Sequence, residues 1–180
     1  MSNQNKITGK ERQKLIINTL KQHDGPVTGN ELANMANVSR QVIVQDISLL
    51  KAKNEPIIAT SQGYIYVQHE KNNVESVVIA CKHSPEQAKD EMYILVDHGV
   101  FIKDVIVEHP VYGHITASLH VGSRKEVDQF LEKIKQTKAS FLSELTEGIH
   151  LHTVEADSAS KIKEASEALK KAEILISLEE

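Results

Sequence analysis

Two histidines separated by one residue, His150 and His152, are the sharpest chemical signal in the sequence. Alternate residues of a β-strand point to the same side, so both imidazoles could bind one metal ion. His83 ends an earlier apolar strand, and antiparallel pairing of the two strands would bring it to the start of the His150 strand. Glu91 lies beside the buried stripe of the helix that follows, where a carboxylate needs a partner. These four residues predict a metal site.

Three imidazoles and one carboxylate suit zinc, nickel or iron(II), and the donor types alone leave the metal open. A His-x-His pair on a strand can also be ordinary polar surface, and it is the addition of His83 and Glu91 that favours a metal. Cys81 lies on the same strand side as His83. A lone buried cysteine is more often part of a core, so Cys81 is left out of the predicted ligands.

A second group of polar residues surrounds a predicted hairpin turn. His109, Tyr112 and His114 cluster there, and Arg124 opens a helix whose N-terminus, with the guanidinium, could hold a small carboxylate. Turn chemistry alone also explains a Pro-Val-Tyr-Gly sequence. These four residues are the predicted effector site.

The elements around these residues follow the order βαββαβα. Period-two and helical patterns predict strands over 75–81, 100–108, 114–121 and 148–155, and helices from Ser84 to about 97, over 123–138 and over 159–173. Such an order is typical of a ferredoxin-like sandwich, an antiparallel sheet with helices on one face. Several strands are apolar at successive positions, so the other face should also be buried, and we expect a homodimer there.

The residues before this module predict three helices and a hairpin. The helices are expected over 10–22, after a Thr28 cap with Glu31 completing a capping box, and from a Ser39 cap to about 53. Short β-prone runs over 56–60 and 64–67 follow. This is the element order of a winged helix-turn-helix. A small helical packing module without DNA is the alternative.

The third helix presents residues that donate hydrogen bonds to base edges and phosphates. Its apolar side is Val42, Ile43, Ile47 and Leu50. The residues predicted to contact double-stranded operator DNA are Ser39, Arg40, Gln41, Val44, Gln45, Ser48 and Lys51.

Charge and composition separate the two modules. Residues 1–73 carry nine Lys/Arg and six Asp/Glu, whereas residues 74–180 carry twelve and nineteen, and seven of the nine histidines follow residue 74. The net positive charge of residues 1–73 favours binding to nucleic acid. We therefore expect an α+β chain with a DNA-binding domain over 1–70 and a metal- and effector-binding, dimerising domain over 74–180. The single cysteine and the absence of a signal-like or membrane-spanning run predict a cytoplasmic protein.

Three segments resemble the nicotinate-responsive NiaR-type repressors, which join a winged helix to a 3H domain. They are residues 38–47, residues 104–113 and residues 145–152, and the last two are the more specific. The resemblance spans nearly the whole chain. It implies a non-enzymatic repressor of NAD synthesis or niacin uptake genes, with nicotinate as co-repressor. It also implies that the 3H domain binds a transition metal, at the positions of His83, Glu91, His150 and His152.

Two other functions fit the same residues. A His/Glu metal site with an open position could activate water, as in a metal-dependent hydrolase, but no second carboxylate or activated nucleophile is evident. A regulator that senses the metal itself would use the same site without nicotinate.

Overall fold

The computed structural model describes residues 7–67 and 74–176, and the chain divides into two compact units, Met1–Glu70 and Lys71–Glu180. The polar composition of residues 68–74 predicts a linker between the two domains, and residues 68–73 of it lie outside the described residues. Among the described residues no helix is both long enough and apolar enough to cross a membrane.

The first unit contains the predicted three helices and hairpin. They are α1 (Gly9–Gln22), α2 (Gly29–Ala36), α3 (Arg40–Ala52), β1 (Ile57–Thr60) and β2 (Gly63–Tyr66). Thr28 and Glu31 form the expected capping box, and Thr8 and Glu11 form a second one that starts α1. Ser39 occupies the N-cap of α3, but its side chain makes no capping hydrogen bond. Its carbonyl instead accepts from the amides of Val42 and Ile43.

A buried ion pair joins α1 to α3. Asp46 lies three residues after Ile43 and four before Leu50, so it faces the core with them. Its carboxylate accepts hydrogen bonds from Nε and Nη2 of Arg12. The predicted apolar side of α3 therefore includes a charge, which is stable there because its partner reaches it from α1.

The hairpin is held against the helices by its backbone. Thr60 pairs with Gly63 across a tight turn, and Val27 and Tyr64 exchange two backbone hydrogen bonds of 2.8 and 2.9 Å. Gly63 has a φ of 146°, and a Cβ on it would lie 2.5 Å from the carbonyl oxygen of Val27. A residue without a side chain is therefore needed where the wing meets the connection between α1 and α2.

The second unit has the predicted element order. It contains β3 (Glu75–Lys82), α4 (Ala88–Asp97), β4 (Phe101–His109), β5 (Gly113–Val121), α5 (Arg124–Thr137), β6 (Ile149–Ala156) and α6 (Ala159–Lys171), with short 3-10 turns over Pro85–Gln87 and Leu142–Thr146. The predicted α+β architecture, a winged helix-turn-helix followed by a βαββαβα domain, is confirmed.

The order of strands across the sheet is β3-β6-β4-β5, with antiparallel neighbours throughout. The first and last strands lie side by side, as predicted. In the ferredoxin-like order the first strand is internal and the last is at the edge, whereas here β6 is internal and β3 is outermost. In both orders, each helix connects two parallel strands that have one other strand between them. The sequence βαββαβα is therefore compatible with either order under the usual connection rules.

The outer edge of β3 is covered by the end of the described chain. The amide of Lys82 donates to the carbonyl of Ile174, and the amide of Ile176 donates to the carbonyl of Ala80. Ile174 is buried in the core of this unit. No period-two pattern in the sequence predicts this short strand-like segment.

The two faces of the sheet differ. One packs against α4, α5 and α6 and forms the main core, which includes Ile102, Val121 and Val154. On the other face Val78 and Ile149 are 55% and 46% exposed. In the single chain this second face is open, so its predicted burial requires a partner.

Candidate functional site

His83, His150 and His152 are brought together by the register of β3 and β6. Cys81 pairs with His150 and Ile79 with His152, which puts the end of β3 beside the start of β6. Gly148 makes the approach possible: its φ is 92°, and a Cβ there would lie 2.4 Å from the carbonyl oxygen of His83. The antiparallel pairing expected from sequence therefore places all three imidazoles on the helix side of the sheet.

Glu91 reaches the histidines from above the sheet. It lies in the first turn of α4, which begins after the predicted Ser84 and Pro85 helix start. Its side chain is buried with the helix residues Ala88, Met92 and Leu95. A carboxylate at this position can only be accommodated with partners, and the three imidazoles are those partners.

The four side chains converge closely. His83 Nε2 lies 2.7 Å from Glu91 Oε2, His150 Nε2 lies 3.2 Å from Oε1, and His152 Nε2 lies 3.4 Å from Oε2. All four residues are buried. We call these four residues the His/Glu cluster.

Backbone carbonyls hold the other ring nitrogen of every histidine in the cluster. His83 Nδ1 donates to Ser84 at 2.7 Å, His150 Nδ1 to Gly148 at 2.9 Å, and His152 Nδ1 to Asp104 at 2.6 Å. A ring that also donates from Nε2 to Glu91 carries both protons and is cationic, whereas a neutral ring with its proton on Nδ1 would offer the Nε2 lone pair to a metal. The same arrangement orients histidines that bind metals.

The cluster is strongly coupled electrostatically. Burial raises the pKa of Glu91, but the charge of His152 and hydrogen bonds from the imidazoles hold it well below its ordinary range. Burial lowers the pKa of His83 and of His152, yet the Glu91 carboxylate raises both above the ordinary value. A negative charge is thus stable at the centre of the cluster, and positive charge is stable around it.

The residues present fit a divalent transition metal. Bonds of about 2.0–2.2 Å to nitrogen and oxygen donors put neighbouring donors about 2.9–3.4 Å apart. Each imidazole Nε2 of the cluster lies 2.7 to 3.4 Å from a Glu91 carboxylate oxygen, which is close to this range. Cys81 also lies here, since its Sγ, a Glu91 oxygen and a His150 nitrogen are all within 4.8 Å of one another.

A cavity of about 190 Å³ opens beside the cluster. All four cluster residues line it, and apolar side chains from β4, β5, α5 and the turn before β6 complete its wall: Val105, Ala117, Leu119, Phe130, Ile134, Phe141 and Leu142. Neither Phe130 nor Phe141 was assigned to a site from the sequence, and Phe141 lies in a connection whose 3-10 turn has no helical periodicity. Two of the three phenylalanines of the chain line this cavity, and no spacing in the sequence relates them to it.

The four residues of the predicted effector site are not brought together. Amides of Val111 and Tyr112 donate to His109 Nδ1 at the tip of the β4–β5 hairpin. Arg124 follows the other end of β5, about 27 Å away at about 3.4 Å per residue. Its guanidinium is bound by Asp97 and covers the ring of Tyr93.

The DNA-contacting residues predicted on α3 share one exposed side. Ser39, Arg40, Gln41, Gln45, Ser48 and Lys51 are exposed, and Val44 is half-buried. The Arg40 side chain lies over the start of α2, where its Nε is 3.3 Å from the position that a Cβ on Gly29 would occupy. The helix thus presents a polar, basic surface next to the turn that joins α2 to α3.

Comparisons with known proteins match both units. Residues 12–65 match the sequence model of an HTH domain, and residues 76–178 match that of the 3H domain. The chain is 52% identical over 178 residues to the transcription repressor NadR of Bacillus subtilis, covering 98% of this chain and 99% of that protein. It is 42% identical over 171 residues to the probable transcription repressor NiaR of Thermotoga maritima, covering 95% and 97%. The chain therefore belongs to the family of NadR- and NiaR-type transcription repressors, which are DNA-binding regulators rather than enzymes.

Proposed function

We propose that this protein is a cytoplasmic, homodimeric repressor of genes for NAD synthesis or niacin uptake, with nicotinate as co-repressor and a divalent transition metal in the 3H domain. The observation that carries the proposal is the cavity beside the His/Glu cluster. It joins a metal-binding donor set to a pocket for a small apolar ring within a repressor chain.

The size and chemistry of the cavity suit one aromatic ring with an acidic group. An apolar cavity of about 150 Å³ holds benzene in another protein, and this one measures about 190 Å³. Its lining contains no Lys or Arg among the described residues, so the positive charge for an anionic ligand would have to come from the His/Glu cluster. A metal held by the cluster would supply the positive charge that a pyridine carboxylate needs.

The chain's own residues perform the remaining tasks in this proposal. The backbone carbonyls that bind each Nδ1 fix the three rings, and Glu91 offsets the charge at the centre. Phe130 and Phe141, whose rings are 6.4 Å apart, form apolar walls that exclude water from a bound ring. We place nicotinate in this cavity because His109, Tyr112 and His114 lie at an exposed hairpin tip far from Arg124.

In the first unit, we propose that α3 lies in the major groove. Arg40 and Gln45 would contact base edges, while Ser39, Gln41, Ser48 and Lys51 would bind phosphates or neighbouring bases. The hydroxyl of Ser39 makes no capping bond within its own helix, which suits a phosphate contact. Two copies would read half-sites about 34 Å apart, one turn of DNA.

Operator binding by metal-loaded and metal-stripped protein, each with and without nicotinate, tests the proposal. We expect tight binding only when metal and nicotinate are both present. A hundredfold preference for the DNA-competent state corresponds to about 2.7 kcal/mol. Metal alone producing full affinity would instead establish a metal sensor, and equal affinity in all four preparations would contradict both functions.

A further inference from the structure

Cys81 is a core residue that also lies beside the His/Glu cluster. It is fully buried, it lies two residues before His83 on the same side of β3, and it faces His150 directly across the strand pair. Glu91 also lies close to the Cys81 sulfur.

The distances bring the sulfur within range of a shared metal. Two donors of one ion can be no farther apart than the sum of their bond lengths, about 4.4 Å for a thiolate at about 2.3 Å and an imidazole at about 2.1 Å. The Cys81 sulfur, a Glu91 oxygen and a His150 nitrogen are all within 4.8 Å of one another. At bond angles of about 90–110° between neighbouring donors, the same bond lengths put sulfur and nitrogen about 3.1–3.6 Å apart, so the side chains must approach by up to about 1.5 Å when the metal binds.

We propose that the metal bound by the His/Glu cluster takes Cys81 Sγ as a fifth protein donor. The inference rests on the metal site of the proposed function and adds a ligand to it. On binding, the S–H bond is replaced by a sulfur–metal bond and the proton is released to solvent. No change of oxidation state is involved.

This ligand set has a consequence for the choice of metal. A thiolate favours zinc, nickel, cobalt and iron over magnesium and manganese, which prefer oxygen donors. We expect loss of the thiol to reduce the affinity for cobalt or nickel by tenfold or more, and to leave any weak manganese binding unchanged.

Cobalt(II) absorption of the full-length protein tests the proposal. A cobalt–thiolate bond gives a strong near-ultraviolet charge-transfer band, which nitrogen and oxygen donors do not give. We expect the band in the wild-type protein and its loss in Cys81→Ser, with one cobalt still bound per chain. Met92→Leu is the matched control, because Met92 is a second buried sulfur and lines the cavity beside the cluster, and it should keep the band.

Two results would overturn the inference, and they are distinguishable. Superimposable spectra of cobalt-loaded wild-type protein and Cys81→Ser would show that Cys81 is not a ligand, while leaving the metal site of the proposed function intact. Failure of the wild-type protein to take up cobalt, zinc or nickel would remove the metal site as well. X-ray absorption of the zinc-loaded wild-type protein provides a second measurement, and a shell without sulfur would also overturn the proposal.

Discussion

At the scale of single residues, the His/Glu cluster depends on positions that are not themselves ligands. Asp104 provides the carbonyl that accepts from His152 Nδ1, and its carboxylate accepts from the amide of Thr153 at 3.0 Å. This happens at the irregularity in β4, where the pairing register shifts between Ile102 and Asp104. The carbonyl of Gly148 accepts from His150 Nδ1 and from the backbone amide of His83. The backbone around the cluster is therefore shaped to aim the imidazoles.

Replacement of Gly148 by alanine should disrupt the cluster. The new Cβ would meet the backbone of His83, so the end of β3 must separate from the start of β6. We expect metal affinity to fall at least tenfold, as measured by competition with a chromophoric chelator. Gly113→Ala is the control, since Gly113 also has a positive φ of 70° but no atom lies within 4 Å of its Cβ position. Alanine at a positive φ destabilises each variant by about 1–2 kcal/mol. Equal metal affinity of the two variants would refute this role of Gly148.

The ion pairs provide a second comparison at this scale. Arg12→Ala leaves Asp46 buried without its main partner, and we expect the free energy of unfolding of the first unit to fall by about 3 kcal/mol. Arg124→Ala removes an exposed pair with Asp97, for which we expect a much smaller loss because water and salt screen the two charges. Thermal unfolding monitored by circular dichroism measures both changes. A similar small loss in both variants would show that the Arg12–Asp46 pair does not anchor α1 to α3.

At the scale of elements, much of the structure could be predicted from patterns along the chain. The helical and period-two spacings predicted every major helix and strand, and the side-by-side pairing of β3 and β6 followed from the fold class. The strand order did not follow, because two orders satisfy the same connection rules. The covering of β3 by Ile174 and the cavity wall at Phe141 were also missed. Both depend on contacts between residues far apart in sequence, which periodicity does not record.

In and next to α3, we distinguish residues expected to contact bases from residues expected to bind the DNA backbone. Arg40→Ala and Gln45→Ala should reduce the preference for operator over random duplex, by about 1–3 kcal/mol per lost base contact. Lys51→Ala, and Lys53→Ala at the C-cap that follows α3, should weaken binding to both duplexes and lower the salt-dependence slope by about 0.9 for each lost phosphate contact. Anisotropy titrations over a salt series measure both effects. An unchanged operator preference in the first pair would contradict the proposed orientation of α3.

At the scale of the whole molecule, the account requires two chains and communication between two units. The open face of the sheet is the candidate dimer surface, because it leaves apolar side chains such as Val78 exposed in the single chain. Binding of the co-repressor in the second unit must then favour the DNA-competent state of the first. Neither property follows from one chain considered alone.

The dimer surface can be tested by placing a charge on it. Val78→Glu would bury an unpaired carboxylate at the interface, and we expect the dimer dissociation constant to rise by tenfold or more. Val111→Glu is the control, because Val111 is 78% exposed at the hairpin tip. Sedimentation equilibrium measures both variants. A dimer unaffected by Val78→Glu would place the interface elsewhere.

Coupling between the nicotinate site and the operator site is the central claim, and its reciprocity offers the most direct test. The measurement is calorimetry of nicotinate with metal-loaded protein, first alone and then saturated with operator duplex. If nicotinate strengthens operator binding a hundredfold, operator must strengthen nicotinate binding by the same factor, about 2.7 kcal/mol. Equal nicotinate affinity in the two titrations would contradict the account.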